Sequence, residues 1–414
     1  MLKHIRNFFL IFISLVAVGY FALVFVYLLP IKPIQENVLE ASNIMHIERS
    51  HQELIYGHQD TMLDNLTDAI MLGTARYEGT STVFEEALLS NRFVVNGMMD
   101  SEVLGAESLG EELVGKVRGY GRYWHGYLLY LKPLLLVFNY GQIRYLVGLI
   151  QFGLFVAVVA LFMRKKKEQY IIPFITSYLF LNPITLSLSL QYFPASVITM
   201  LQLIILLLLE KEYKENSVRW MYHFFVVGCL IAYFDLLTFP LLTLGIPLAF
   251  LMAEKYNSLK EDIKSFMGSC MAWAIGYAMM WGSKWILGTL ITKENMLKDA
   301  FGSALFRIGV TESETKTSAI EAVFRNIGAN KLYLLTAVIV FICIFFGGLW
   351  KKYQFNVKKM KMSLILCAIL PFAWYVVLSN HSYIHYWFTY RVLAISIFSV
   401  LIAAVQLFDQ KKGV

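Results

Sequence analysis

Charge is scarce in this chain of 414 residues: Asp, Glu, Lys and Arg make up 16% of it, against 58% hydrophobic residues. A soluble domain is nearer half apolar and a quarter charged, so an ordinary soluble enzyme is excluded. The apolar and aromatic content equally excludes a disordered chain. Proline numbers only 9, and no Pro- or Gly-rich linker, internal repeat or low-complexity tract divides the sequence. The four cysteines, Cys229, Cys270, Cys343 and Cys367, all fall within apolar runs and lack CxxC or metal-ligand spacing. They read as small core residues, not as a disulfide framework. No GxGxxG, Walker, GxSxG or zinc-finger pattern stands in a workable context, which disfavours nucleotide-driven and cytosolic hydrolase chemistry.

What the chain has instead is a series of apolar runs of about 18 to 25 residues, long enough to cross a bilayer as helices. The expected fold is all-α, a polytopic transmembrane bundle of about ten spans with a long, partly helical first outer loop. The spans fall near 7–30, 142–163, 170–189, 195–209, 220–235, 236–253, 266–290, 332–349, 363–379 and 390–408. The first follows Lys3 and Arg6, is too long for a signal-peptide core and has no cleavage site behind it, so it reads as uncleaved. With the N-terminus inside, the inner segments hold 19 Lys/Arg and 8 Asp/Glu, and the outer ones 17 and 21. The formal charge of +7 thereby divides into +11 inside and −4 outside, as the positive-inside rule requires. This distribution points to a multi-pass cell-membrane protein with both termini cytoplasmic and lipid, not nucleic acid, as its surroundings. Residues 1–414 form one integral membrane domain, with outer loops at 31–125 and 291–331. Six of the eight histidines, His46, His51, His58, His125, His381 and His385, fall outside.

Five constellations on that outer side carry chemistry. Asp60, Asp64 and Asp68 are spaced i, i+4, i+8, so on a helix they form one acidic stripe opposite Met62, Leu63, Leu66 and Ile70, with Gly73 as the stop. Such a stripe is either a catalytic carboxylate with neighbours that tune it or help hold a divalent ion, or the wet face of an amphipathic helix. Arg122 and His125 lie among Tyr120, Tyr123, Trp124 and Tyr127, just before a short apolar segment at about 127–139 that contains Lys132. These aromatics are ordinary membrane-belt residues, or the two basic groups meet a phosphate or sugar. Asp235 follows Arg219 by 16 residues, about 24 Å of helix, which places it near the outer interface as a hairpin cap or an active-site carboxylate. Lys284, framed by Trp281 and Trp285, either snorkels to the headgroups or faces a lipid-linked phosphate. His381 and His385 share an i,i+4 face, a metal-ligand spacing without an obvious third ligand. Arg391 opens the last span as a candidate for bidentate phosphate contact.

This pattern resembles the GT-C superfamily of polytopic glycosyltransferases: acidic residues in a long outer loop after the first span, an aromatic-rich outer face and basic groups at outer span ends. The resemblance implies a donor sugar on a polyprenyl phosphate, with its phosphate held by basic side chains. It also implies a loop carboxylate as general base toward a glycan or lipid acceptor. On that reading Asp64 or Asp60 is the base and Asp68 a tuning neighbour, while Arg391, Lys284, His381 and His385 are candidates for the phosphate. Asp235 has no family equivalent, and the large C-terminal outer domain of the oligosaccharyltransferase branch is missing. No cofactor is assigned, although a divalent cation is an option.

Other classes compete. A transporter or flippase of lipid-linked glycan needs polar groups in mid-span or broken helices in paired halves. A ligase, polymerase or acyltransferase of envelope polysaccharide would use the same outer groups with a different nucleophile. A non-enzymatic assembly partner would not need the cluster at all. Convergence of Asp60 or Asp64 with Arg391 and Lys284 within about 10 Å, around an outer cavity opening to lipid, favours the transferase. Aspartates that point to bulk water, far from those cations, exclude it.

Overall fold

A backbone surrounded by hydrocarbon must satisfy its own N–H and C=O groups, and the helix does so locally. The computed structural model describes residues 2–79, 81–210, 217–255, 258–310, 318–348, 353–356 and 359–410. Among them the fold is all-helical apart from two small antiparallel ribbons. The helices are α1 (Leu2–Tyr27), α2 (Ile31–Glu48), α3 (Asn65–Arg76), α4 (Val83–Leu89), α5 (Asp100–Ser108), α6 (Leu128–Leu135) and α7 (Tyr140–Arg164). They continue as α8 (Ile171–Phe180), α9 (Pro183–Leu188), α10 (Phe193–Leu208), α11 (Ser217–Phe234), α12 (Leu242–Glu254), α13 (Leu259–Thr292) and α14 (Met296–Arg307). Last come α15 (Ala319–Ala329), α16 (Lys331–Gly348), α17 (Met362–Val377), α18 (Ser379–Ile384), α19 (Tyr386–Thr389) and α20 (Ala394–Gln406). The ribbons pair β1 (Arg92–Val94) with β2 (Lys116–Arg118), and β3 (Tyr353–Phe355) with β4 (Phe408–Gln410).

Five helical segments are long and apolar enough to cross a membrane: Leu2–Tyr27, Tyr140–Arg164, Leu190–Leu208, Lys331–Gly348 and Tyr386–Gln406. Their outward side chains include Phe21, Phe25, Leu149, Phe152, Leu332 and Phe346, the kind of surface that lipid tails solvate. Three further apolar helices, Val218–Phe234, Leu242–Glu254 and Met362–Val377, are shorter. The predicted span 170–189 is not one helix. It breaks at Asn182, which takes a left-handed conformation (φ 57°), and Pro183 opens α9. Asparagine tolerates that conformation, and proline has no N–H to continue the preceding helix. The expected span 236–253 is helical only from Leu242, because a turn with Leu237 at φ 67° occupies its start. Parts of the expected inner segments (211–216, 256–257, 351–352, 357–358, 411–412) and of the second outer loop (311–317) lie outside the described residues.

Close helix packing uses missing side chains. A Cβ on Gly228 of α11 would lie 2.1 Å from the Trp273 carbonyl oxygen of α13, and one on Gly276 2.2 Å from that of Phe225. Small residues at such crossings let backbones touch, as membrane helices do.

The segment 31–125 is a helical cap held to the bundle by buried polar side chains. Arg144 of α7 reaches Glu48 at 2.9 Å with both terminal nitrogens and Asn65 Oδ1 at 2.7 Å. Asp68, fully buried in α3, accepts from the Tyr140 hydroxyl at 2.6 Å and from the backbone N–H groups of Leu190 and Gln191 at 2.8 and 3.1 Å. Lys132 donates to the Ala75 carbonyl at 2.9 Å and Lys284 to that of Ala87 at 3.1 Å. Every one of these brackets joins the first loop to a later helix.

Burial raises the Asp68 carboxyl to about 6, with Arg144, Tyr140 and the two N–H groups opposing the rise. The folded state therefore holds this proton more tightly than the unfolded chain, and its contribution to stability falls as pH rises from about 4 through 6. Asp68→Ala leaves a hydroxyl and two buried N–H groups unpaired and is expected to cost roughly 3–5 kcal/mol. Asp68→Asn should cost less and flatten the pH dependence between 4.5 and 6.5. Thermal unfolding of the purified protein in detergent across that range checks both.

Candidate functional site

A cavity of about 810 Å³ lies between the start of α3, the segment 120–123, helix α14 and the turn 381–388. Of the three expected aspartates, Asp64 alone lines it. The i, i+4, i+8 stripe does not form, because the residues fall on different elements. Asp60 sits in a 3-10 turn (Gln59–Thr61), Asp64 is the N-cap of α3, and Asp68 lies inside the helix. All three are buried, so the wet-face alternative does not describe them. Helix α3 also runs through Gly73 to Arg76.

Asp64 is held on three sides. Its Oδ1 accepts from the Thr67 N–H at 3.1 Å, which satisfies one unpaired donor of the first helical turn. Its Oδ2 accepts from Gln191 Nε2 at 2.5 Å, and its own N–H donates to Ser189 Oγ at 3.2 Å. His51 Nε2 lies 3.9 Å from Oδ1, and the His51 ring meets Trp387 edge-on at 5.2 Å.

His381 and His385 also line the cavity, with ring centroids 4.8 Å apart. His381 Nε2 is 3.0 Å from the Leu237 carbonyl, whereas His385 Nδ1 is buried without a hydrogen-bond partner. Burial pushes His385 down to about 4, against an upward pull from Asp64, and drives His381 well below the usual imidazole range. Both rings are therefore neutral at pH 7. Arg122 lines another wall, its guanidinium 4.6 Å from the Tyr120 ring centre and 3.3 Å from Asp299. Lys298 and Arg307 of α14 join it, and Arg307 donates to the Tyr123 hydroxyl.

The remaining expected residues stand behind the walls. Arg391 is fully buried and donates to the Leu181 carbonyl at 2.8 Å, the Trp387 carbonyl at 3.0 Å and Thr185 Oγ1 at 2.5 Å. Each nitrogen of its fork is used inside the protein, and the Tyr192 ring covers it at 4.4 Å. Lys284 points to Ala87 and lies 5.4 Å from the Trp124 ring, away from the cavity. Neither long side chain snorkels outward, because buried carbonyls are within reach. His125 bridges the Tyr127 hydroxyl and the Tyr120 carbonyl at 2.9 and 2.8 Å; burial, then Lys284, pushes it down to about 3. It positions the Tyr120 backbone. Asp235 accepts from Thr238 N–H and Oγ1 at 2.8 and 2.5 Å and so caps the turn, as its hairpin alternative has it. Asp60, raised by burial, is 3.4 Å from Asn182 Nδ2 and 4.0 Å from His58.

Sequence reasoning missed His51, Gln191, Lys298 and Arg307 as members of the site. Gln191 was the readable one: Ser189-Leu-Gln191 is a polar interruption between two apolar runs. Among the described residues no group of three His, Cys, Asp or Glu side chains is placed to hold a metal ion.

The N-cap role separates structure from chemistry at Asp64. Asparagine caps a helix about as well as aspartate, and the Gln191 amide can turn over to offer its oxygen. Asp64→Asn is therefore expected to unfold within about 0.5 kcal/mol of the native protein, and Asp64→Ala about 1 kcal/mol or more below it. Denaturation midpoints in detergent check the pair.

With this geometry in view, comparison with known proteins gives no relative: no family model, no curated protein and no solved structure matches the chain.

Proposed function

We propose that the protein is a membrane glycosyltransferase that moves a sugar from a polyprenyl-phosphate-linked donor to a glycan or lipid acceptor of the cell envelope. In this reading the chain crosses the membrane about ten times, with both termini cytoplasmic and the cavity on the opposite face. The observation that carries it is the meeting, in one cavity, of a hydrogen-bonded carboxylate, Asp64, with the basic side chains Arg122, Lys298 and Arg307.

Asp64 takes the proton of the acceptor hydroxyl as that oxygen bonds to the anomeric carbon. The bond from that carbon to the donor phosphate breaks, and the phosphate leaves with the electron pair. Arg122, Lys298 and Arg307 stabilise the charge on the departing phosphate, a role in which fixed cations act most strongly away from bulk water. His51, 3.9 Å from Asp64, receives or returns the proton by way of one intervening water, and the Trp387 ring on the cavity wall suits sugar stacking. Arg391, through the Trp387 carbonyl, thereby becomes a positioning residue for the wall, whereas Lys284 ties α4 to α13 away from it.

Asp64→Asn is expected to lower transfer from a lipid-linked sugar in isolated membranes by about 10²- to 10⁴-fold, the usual size of a general-base contribution. Arg307→Ala should also lower it. Unchanged transfer by Asp64→Asn at normal protein level defeats the proposal.

A second reading, transport of lipid-linked glycan, is favoured by the interrupted helix at Asn182 and by the broken run α18–α19 before α20. Assay in detergent micelles separates the two. Micelles hold no compartments, so product formed there comes from a transferase.

A further inference from the structure

A second chamber of about 340 Å³ adjoins the first cavity and shares with it Tyr120, Arg122, Asn295 and Asp299. Its distinctive feature is three arginines gathered against electrostatic cost. In the ribbon β1–β2 the register sets Arg92 directly opposite Arg118, and like charges facing each other across a strand pair are destabilising. Arg122 follows four residues later, and the guanidinium groups of Arg92 and Arg122 both lie on the Tyr120 ring, 5.1 and 4.6 Å from its centre.

Two of these groups are also incompletely used. Arg92, only 5% exposed, spends Nε and Nη2 on Asp100 at 2.5 and 3.4 Å, while its Nη1 is buried without a partner. Arg122 Nε is likewise buried and unpartnered. Glu294 and Asp299 also line the chamber, two acids against three arginines on its wall, while Asp100 pairs Arg92 from outside it. An anion between the arginines would offset the repulsion and, once the guanidinium groups turn toward it, supply oxygens to the orphaned nitrogens in the charge-assisted geometry they favour.

We propose that this chamber is an anion subsite that takes a phosphate or carboxylate carried by the acceptor. It gives the substrate class of the neighbouring cavity, an acidic glycan or a phosphorylated lipid, and in that respect rests on the transferase reading. Arg122, on the shared wall, faces both the acceptor's anionic group and the donor phosphate.

The test is titration of the purified full-length protein in detergent with inorganic phosphate and, separately, with D-glucuronate, followed by calorimetry. At least one anion is expected to bind saturably, and Arg118→Ala to weaken that binding about tenfold or more, the loss of one charge-assisted contact. Arg118→Lys, which keeps the charge, should restore part of it. Whichever anion loses more affinity on Arg118→Ala names the group, because phosphate also meets Arg122, Lys298 and Arg307 in the neighbouring cavity. Arg118 is exposed, so its replacement leaves the fold intact. Absence of saturable binding by both anions, or binding indifferent to Arg118→Ala, overturns the proposal. Binding is read without turnover, so a failed transfer assay and a failed titration are separate results.

Discussion

A buried carboxylate that must find donors is the constraint around which this structure is arranged. Asp68 is fully buried, and its needs are met by Tyr140 and by the first backbone groups of the segment leading into α10. Those bonds fix where α3 begins, and the start of α3 is where Asp64 stands. Gln191 joins the two: its backbone N–H serves Asp68, and its side chain serves Asp64. One aspartate is thus spent on architecture so that its neighbour, one helical turn earlier, is held rigidly at a cavity wall.

The same division recurs around the cavity. Arg391 holds the carbonyl of Trp387, and His125 holds that of Tyr120. Both bind the backbone of a residue that lines the cavity while staying out of it. Buried charged and polar groups in an apolar chain are costly unless satisfied, and here the satisfaction comes from carbonyls of the wall-forming segments. The walls are therefore set by the groups a reader of the sequence would first assign to the substrate.

That substitution explains what was legible and what was not. The helical class, the apolar runs and the crowding of histidine and aspartate in the first loop were all readable, since they depend on composition and spacing. Asp64 was readable as a candidate for its type and place, and it does line the cavity. The direction of a long side chain was not: Arg391 and Lys284 look the same in sequence whether they reach outward or turn back to Leu181 and Ala87. The four-residue spacing of the aspartates fits one helix, but it equally fits a turn, a cap and a helix in succession. Likewise Asn182-Pro183 announces a break, yet the flanking residues are apolar enough to hide it within one run. His51 and Arg307 belong to the site through tertiary contact with elements far along the chain, which no local pattern encodes.

Helix α13 has 34 residues, about 51 Å of rise against a hydrocarbon core of about 30 Å. Some 20 Å of it must stand clear of any bilayer it crosses, or else the helix must tilt steeply. Lys293, in a left-handed turn at its end, hands the chain on to α14, which carries Lys298 and Arg307. In the proposed topology, where α13 carries the expected span 266–290, this stiff strut would set the height of the cationic wall above the lipid. Bilayer thickness, acting through the tilt of that strut, would then be a geometric variable of the cavity itself.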